Sequence, residues 1–111
     1  MRRRRDFSKL KADIAYTLVM YANVYTNPGM KEELIAEAST AARNCAARLS
    51  SFIEEWPKDI GGIPKRRELK KVSSELIGLA NRVYGGSDPF QFISDNEKAI
   101  HRIRTLLDLK E

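Results

Sequence analysis

The sequence predicts an all-α protein, a four-helix up-and-down antiparallel bundle. Three observations carry this. Apolar residues recur at spacings of three and four in four successive segments, Pro and Gly signals separate those segments, and the connections are short. Short connections set neighbouring helices side by side in opposite directions. A chain of 111 residues is one domain, residues 1–111, with room for one core. Hydrophobic residues at 42% and charged residues at 32% exclude a disordered chain.

The first segment carries Phe7, Leu10, Ile14, Leu18, Tyr21 and Tyr25 on one stripe and ends at Asn27-Pro28-Gly29. Asn27 is placed to cap the next helix, with Pro28 at its first position, where no backbone donor is needed. The second segment repeats Leu34, Ala38, Ala41, Cys45, Leu49, Phe52 and Trp56, and Glu32, Glu33 and Glu37 at its start complement the helix dipole. Pro57 and Gly61-Gly62 stop it. The third opens at Ile63-Pro64, carries Leu69, Val72, Leu76, Leu79 (or Ala80) and Val83, and ends at Gly85-Gly86. In the fourth, Ser87-Asp88-Pro89 offers a cap and Ile93, Ile100, Ile103 and Leu107 form the stripe. A second capping box, Ser94 to Glu97, makes residues 89–93 a candidate separate turn.

The net charge of +5 is unevenly laid out. Residues 1–29 carry six Lys/Arg against two acids and residues 61–86 again six against two, while the other two stretches are slightly acidic. In an up-and-down bundle the starts of helices one and three share an end. Arg2, Arg3, Arg4 and Arg5 would then join Lys65, Arg66, Arg67, Lys70 and Lys71 at one pole. Arg66 with Lys70 and Arg67 with Lys71 are like-charged pairs four apart, each costing a helix ~0.2–0.5 kcal/mol. Cations at a helix start also oppose the dipole. An anion is one way to offset both penalties: a nucleotide, a nucleic acid or an anionic membrane surface. A solvated basic face is the plain alternative.

The opposite pole offers a second candidate. Tyr25, Asn27, Arg82 and Tyr84 converge there, with the starts of helices two and four as backbone donors for phosphate. Tyrosines can stack on a base, and Tyr21 joins them. Asn23, Asn27 and Asn81 carry the donor–acceptor pairs that adenine edges require. The plain alternative makes the tyrosines core-edge residues and Asn27 a cap.

Catalytic and metal chemistry finds no motif, and neither cofactor nor metal is expected. His101 stands alone, so it lacks the partners a zinc site needs. Small helical nucleases of the HEPN type place Arg four to six residues before His; here those positions hold Asn96, Asp95 and Ser94. The lone Cys45 forms no intrachain disulfide and reads as a small buried apolar residue. The longest apolar-rich stretch, Ile14 to Tyr25, is 12 residues, short of the ~20 that span a bilayer. Arg-rich sequence is nonetheless typical of the cytoplasmic flank of a membrane helix.

At Asp13-Ile-Ala-Tyr-Thr-Leu-Val-Met-Tyr-Ala-Asn-Val-Tyr-Thr-Asn-Pro-Gly29, and again at Ser74-Glu-Leu-Ile-Gly-Leu-Ala-Asn81, the chain resembles the cytosolic part of small bacterial membrane proteins. In these, one or two membrane helices precede a helical domain of this size. The domain is also similar in size and organisation to the cyclic-oligoadenylate-binding part of a membrane-anchored effector of type III CRISPR systems. That resemblance implies a homo-oligomer in antiviral defence, at the cytoplasmic face of the bacterial inner membrane, that binds cyclic tetra-adenylate. It carries no individual ligand contacts over. The expected function is therefore a non-enzymatic sensor of a cyclic oligonucleotide. The alternatives are a structural or oligomerisation domain whose basic end rests on lipid, and a nucleic-acid-binding bundle.

Overall fold

The computed structural model of the chain describes residues 2–27, 30–56, 58–59, 61–84 and 89–109, with backbone alone at Arg2, Arg3, Arg4 and Pro89. These residues form an all-helical bundle: α1 Arg2–Met20, α2 Ala22–Thr26, α3 Glu32–Glu55, α4 Arg66–Arg82 and α5 Pro89–Leu107. They extend 43 × 24 × 22 Å. The central contacts are α3 with α4 and α4 with α5, and α1 lies on α3 while α2 reaches α5.

The apolar stripes explain this packing. Phe7, Leu10, Ile14 and Leu18 of α1 are buried, as are Leu69, Val72, Leu76 and Leu79 of α4. Along α1 and α3 the pairs run in opposite order. The Phe7 ring meets Phe52 at 5.7 Å, Asp13 pairs with Arg48 at 2.8 Å, and the Thr17 hydroxyl lies 3.5 Å from Cys45 Sγ. Between α3 and α4, the Ser39 hydroxyl donates to the Ala80 carbonyl at 2.8 Å and Ser50 meets Ser73 at 3.0 Å. Close approach at these points is allowed by the small buried residues Ala38, Ala42 and Ala46.

Four features differ from the sequence expectation. First, the opening segment is two helices. Tyr21 leaves helical geometry (φ −110, ψ 17), and its carbonyl accepts from the amides of Val24 and Tyr25. Thr17 bonds back to the Asp13 carbonyl at 2.9 Å, a pattern that bends helices, and α2 is redirected onto α5. Second, Asn27 ends α2 in extended geometry, and α3 starts only at Glu32 after Lys31, so Asn27 does not cap the next helix. Pro28 lies outside the described residues, as do Gly85, Gly86, Ser87 and Asp88. Third, residues 89–93 are the first turns of α5 and not a separate turn. Fourth, the buried face of α5 carries Phe92, Asn96, Ala99, Ile103 and Leu107, with Ile93 and Ile100 half-buried beside it.

Candidate ligand-binding site

The start of α4 is built from two directions. Gly62 turns the chain with φ 83, a left-handed conformation open to glycine without steric cost. Asp59 then accepts the Arg66 backbone N–H at 3.0 Å, capping the helix with a carboxylate from outside it. Glu68 adds a second acid in the first turn. Part of the dipole penalty foreseen for Lys65, Arg66 and Arg67 is thus offset inside the chain. This cap is invisible to a local reading, because Asp59 lies seven residues before the amide it serves.

Lys65, Arg67, Lys70 and Lys71 are exposed, and Arg66 is half-buried. Among the described residues none of those four exposed cations is paired with a carboxylate. Positions 67, 70 and 71 are neighbours on one helix face, so their charges add there. Arg5 is exposed at the start of α1, whose Phe7 packs on Phe52 near the end of α3. The side chains of Arg2, Arg3 and Arg4 lie outside the described residues. The exposed acids Glu54, Glu55 and Asp59 sit at the same end of the bundle, so this end is mixed in charge, and the exposed cations Arg67, Lys70 and Lys71 gather on one side of α4, which also carries the half-buried acids Glu68 and Glu75.

The opposite end is organised by hydrogen bonds that use up much of its polar chemistry. Tyr25 is fully buried, its hydroxyl donates to the Ala38 carbonyl at 2.8 Å, and its ring meets Tyr21 edge-on at 6.3 Å. It is a core residue and presents no face to a base, which corrects the stacking role expected of it. Burial, with Cys45 and Tyr21 adding to it, pushes its phenol well above the ordinary value. Arg82 Nε donates to Asn96 Oδ1 at 2.6 Å, and Asn96 Nδ2 donates to the Tyr25 carbonyl at 2.6 Å. That carbonyl is in the last turn of α2, where it has no helical donor. The half-buried Arg82 thus ties α4 to α5 through Asn96, which is fully buried. Asn81 accepts from Arg43. Asn27 and Asn23 are exposed, and Tyr84 is 63% exposed. Of the four residues assigned to this end, Asn27 and Tyr84 remain open to solvent and Tyr25 and Arg82 are committed to the fold.

His101 is exposed on α5. Among the described residues no three His, Cys, Asp or Glu side chains are grouped to hold a metal. Cys45 is buried, and burial raises its thiol above the ordinary value while the Thr17 contact opposes this. No helix among the described residues is long and apolar enough to cross a membrane. Compared with models of known protein families, with curated proteins and with solved structures, the chain matches none.

Proposed function

We propose that this chain is a non-enzymatic binding domain, an up-and-down bundle in which α1 and α2 form one arm, and that its ligand is rich in phosphate. A cyclic oligonucleotide, with cyclic tetra-adenylate foremost, is the class to which the resemblance leads. The observation that carries this reading is the exposed cationic face of α4: Arg67, Lys70 and Lys71 stand together with no carboxylate partner among the described residues. Each added phosphate meets an existing positive field, and a field on a rigid helix needs no reorganisation to act. The Tyr25 end supports the reading less, because two of its four assigned residues are spent on internal bonds. An anionic membrane surface would use the same charges with Arg5, and a nucleic acid would use them with a steeper salt dependence.

Calorimetry of the full chain against cyclic tetra-adenylate at low and at physiological salt tests the proposal. Binding tighter than ~100 μM, about −5.5 kcal/mol, is expected, and it weakens with salt. Absence of heat together with absence of any thermal shift at that concentration refutes it. Co-sedimentation with anionic vesicles, without nucleotide binding, would move the assignment to lipid.

A further inference from the structure

The bond from Arg82 to Asn96 takes Nε alone. A guanidinium carries N–H donors on all three nitrogens, so those of Nη1 and Nη2 remain. Neither atom has a partner among the described residues, and neither is buried. The side chain is also aimed. A Cβ at Gly78 would stand 2.7 Å from Arg82 Nη1, 3.0 Å from Nη2 and 3.1 Å from Cζ, so the guanidinium lies across Gly78, one turn back along α4. Glycine inside a helix is costly relative to alanine. Gly78 is on the side of α4 away from the buried Leu69, Leu76 and Leu79, so the core does not require it. The room its missing side chain leaves is taken by Arg82.

That seat brings the guanidinium into line with the cationic face. Arg67, Lys71, Ser74 and Gly78 recur at spacings of four, three and four, one line along the outer side of α4, with Lys70 beside it. Gly78 is two turns beyond Lys71, about 10 Å along the axis. Between them the line holds Ser74, small and exposed, so a ligand can lie close to the helix. The acids beside the seat are engaged: Arg102 donates to Glu75 at 2.9 Å, and Gln91 donates to Asp95 at 2.7 Å. We propose that the α4 site has two anchors, the cluster Arg67, Lys70 and Lys71 for one phosphate and the Nη edge of Arg82 for another, so that its ligand is an oligonucleotide with at least two phosphates. This rests on the reading that α4 binds phosphate. The two anchors do different work. Lysines are point charges on flexible stems, and they take a phosphate in many poses. The Arg82 fork is planar and held in place by Asn96 and Gly78, and it can take two oxygens of one phosphate at once. A mononucleotide reaches one anchor only. An oligonucleotide reaches both, and its linkage makes the second contact intramolecular. Gly78 is then a positioning residue that acts through Arg82.

Calorimetry of the full chain at low salt, with cyclic tetra-adenylate and with adenosine monophosphate as the one-phosphate probe, tests this. The native chain should bind the tetra-adenylate at least tenfold more tightly than the monophosphate. Gly78→Ala displaces the guanidinium and Arg82→Lys keeps the charge but loses the fork; each should weaken tetra-adenylate binding about tenfold and leave the monophosphate unchanged. Adding Gly78→Ala to Arg82→Lys should cost nothing more. Arg82→Lys also disturbs the bond to Asn96, so Gly78→Ala, whose melting should hold, is the variant that separates binding from folding. Tetra-adenylate bound equally by the native chain and both variants overturns the second anchor and leaves the α4 cluster standing. So does a monophosphate bound as tightly as the tetra-adenylate, or a loss of both ligands alike in the variants. A native chain that binds neither ligand removes the phosphate reading, and this inference with it.

Discussion

Replacing Asn96 by alanine removes the two bonds that join three helices. The Tyr25 carbonyl loses its 2.6 Å donor, and Arg82 loses its 2.6 Å acceptor. The carbonyl belongs to a buried residue, and leaving such a group unsatisfied costs about 1–3 kcal/mol. The Arg82 bond is charge-assisted, but its side chain is half-buried and water can replace part of it, so about 1 kcal/mol is the fair share. Together the loss is about 2–4 kcal/mol, a large fraction of the ~5–15 kcal/mol that a domain commands. At this chain length it lowers Tm by roughly 8–16 °C. Urea denaturation followed by circular dichroism reads it as a lower midpoint with an unchanged slope. A double-mutant cycle with Arg82→Ala should return a coupling of about 1 kcal/mol. A loss below ~0.5 kcal/mol for Asn96→Ala would refute the network as the clasp between α2, α4 and α5.

Gly78→Ala sets two effects against each other: a Cβ there would sit 2.7 Å from Arg82 Nη1, while alanine favours helix by ~1 kcal/mol. The substitution should be within ~1 kcal/mol of neutral in the native chain and stabilising by ~1 kcal/mol when Arg82 is already alanine, as urea midpoints would show. Tyr25→Phe deletes the bond to the Ala38 carbonyl and should cost about 1–2 kcal/mol by the same assay. Tyr25 and Cys45 both titrate higher in the folded chain than their ordinary values of 10.0 and 9.0, so the unfolded chain loses these protons first. Stability from these groups is therefore complete below about pH 9 and falls as pH rises above the ordinary values. Tyr25→Phe should remove the part of that alkaline loss that begins above pH 10, and an identical alkaline profile for the variant would contradict the assignment.

The helices were legible where one period ran undisturbed. The stripes Phe7-Leu10-Ile14-Leu18 and Leu69-Val72-Leu76-Leu79 are buried as the spacing requires. The break at Tyr21 carries no Pro or Gly; it goes with the bond from Thr17 back to the Asp13 carbonyl and with packing of α2 on α5, neither of which the apolar period reports. Asn96 takes a core position because its amide serves two groups distant in sequence; a hydrophobic pattern passes over it. The same bond draws Arg82 out of the candidate site. Tyr25 stood at once in the apolar stripe and in the proposed stacking set, and burial decides for the stripe. The cationic run on α4 was legible as composition, and its placement followed from the helix period alone. The exposure of Tyr16, Val19 and Met20 on α1 was hidden within an apolar segment, since periodicity shows which residues face a core only when the other face is polar.

The proposed function rests on the exposed cations of α4 holding a phosphate-rich ligand. Its most direct test is a titration of cyclic tetra-adenylate into the native chain and into Arg67→Gln/Lys70→Gln/Lys71→Gln, with Trp56 emission and heat read in parallel. Removing three unit charges, each worth up to ~1 kcal/mol at close range in water, should weaken binding at least tenfold and flatten its salt dependence while Tm holds. Equal affinity in the two proteins, or no binding to either, would take the ligand away from this face of α4.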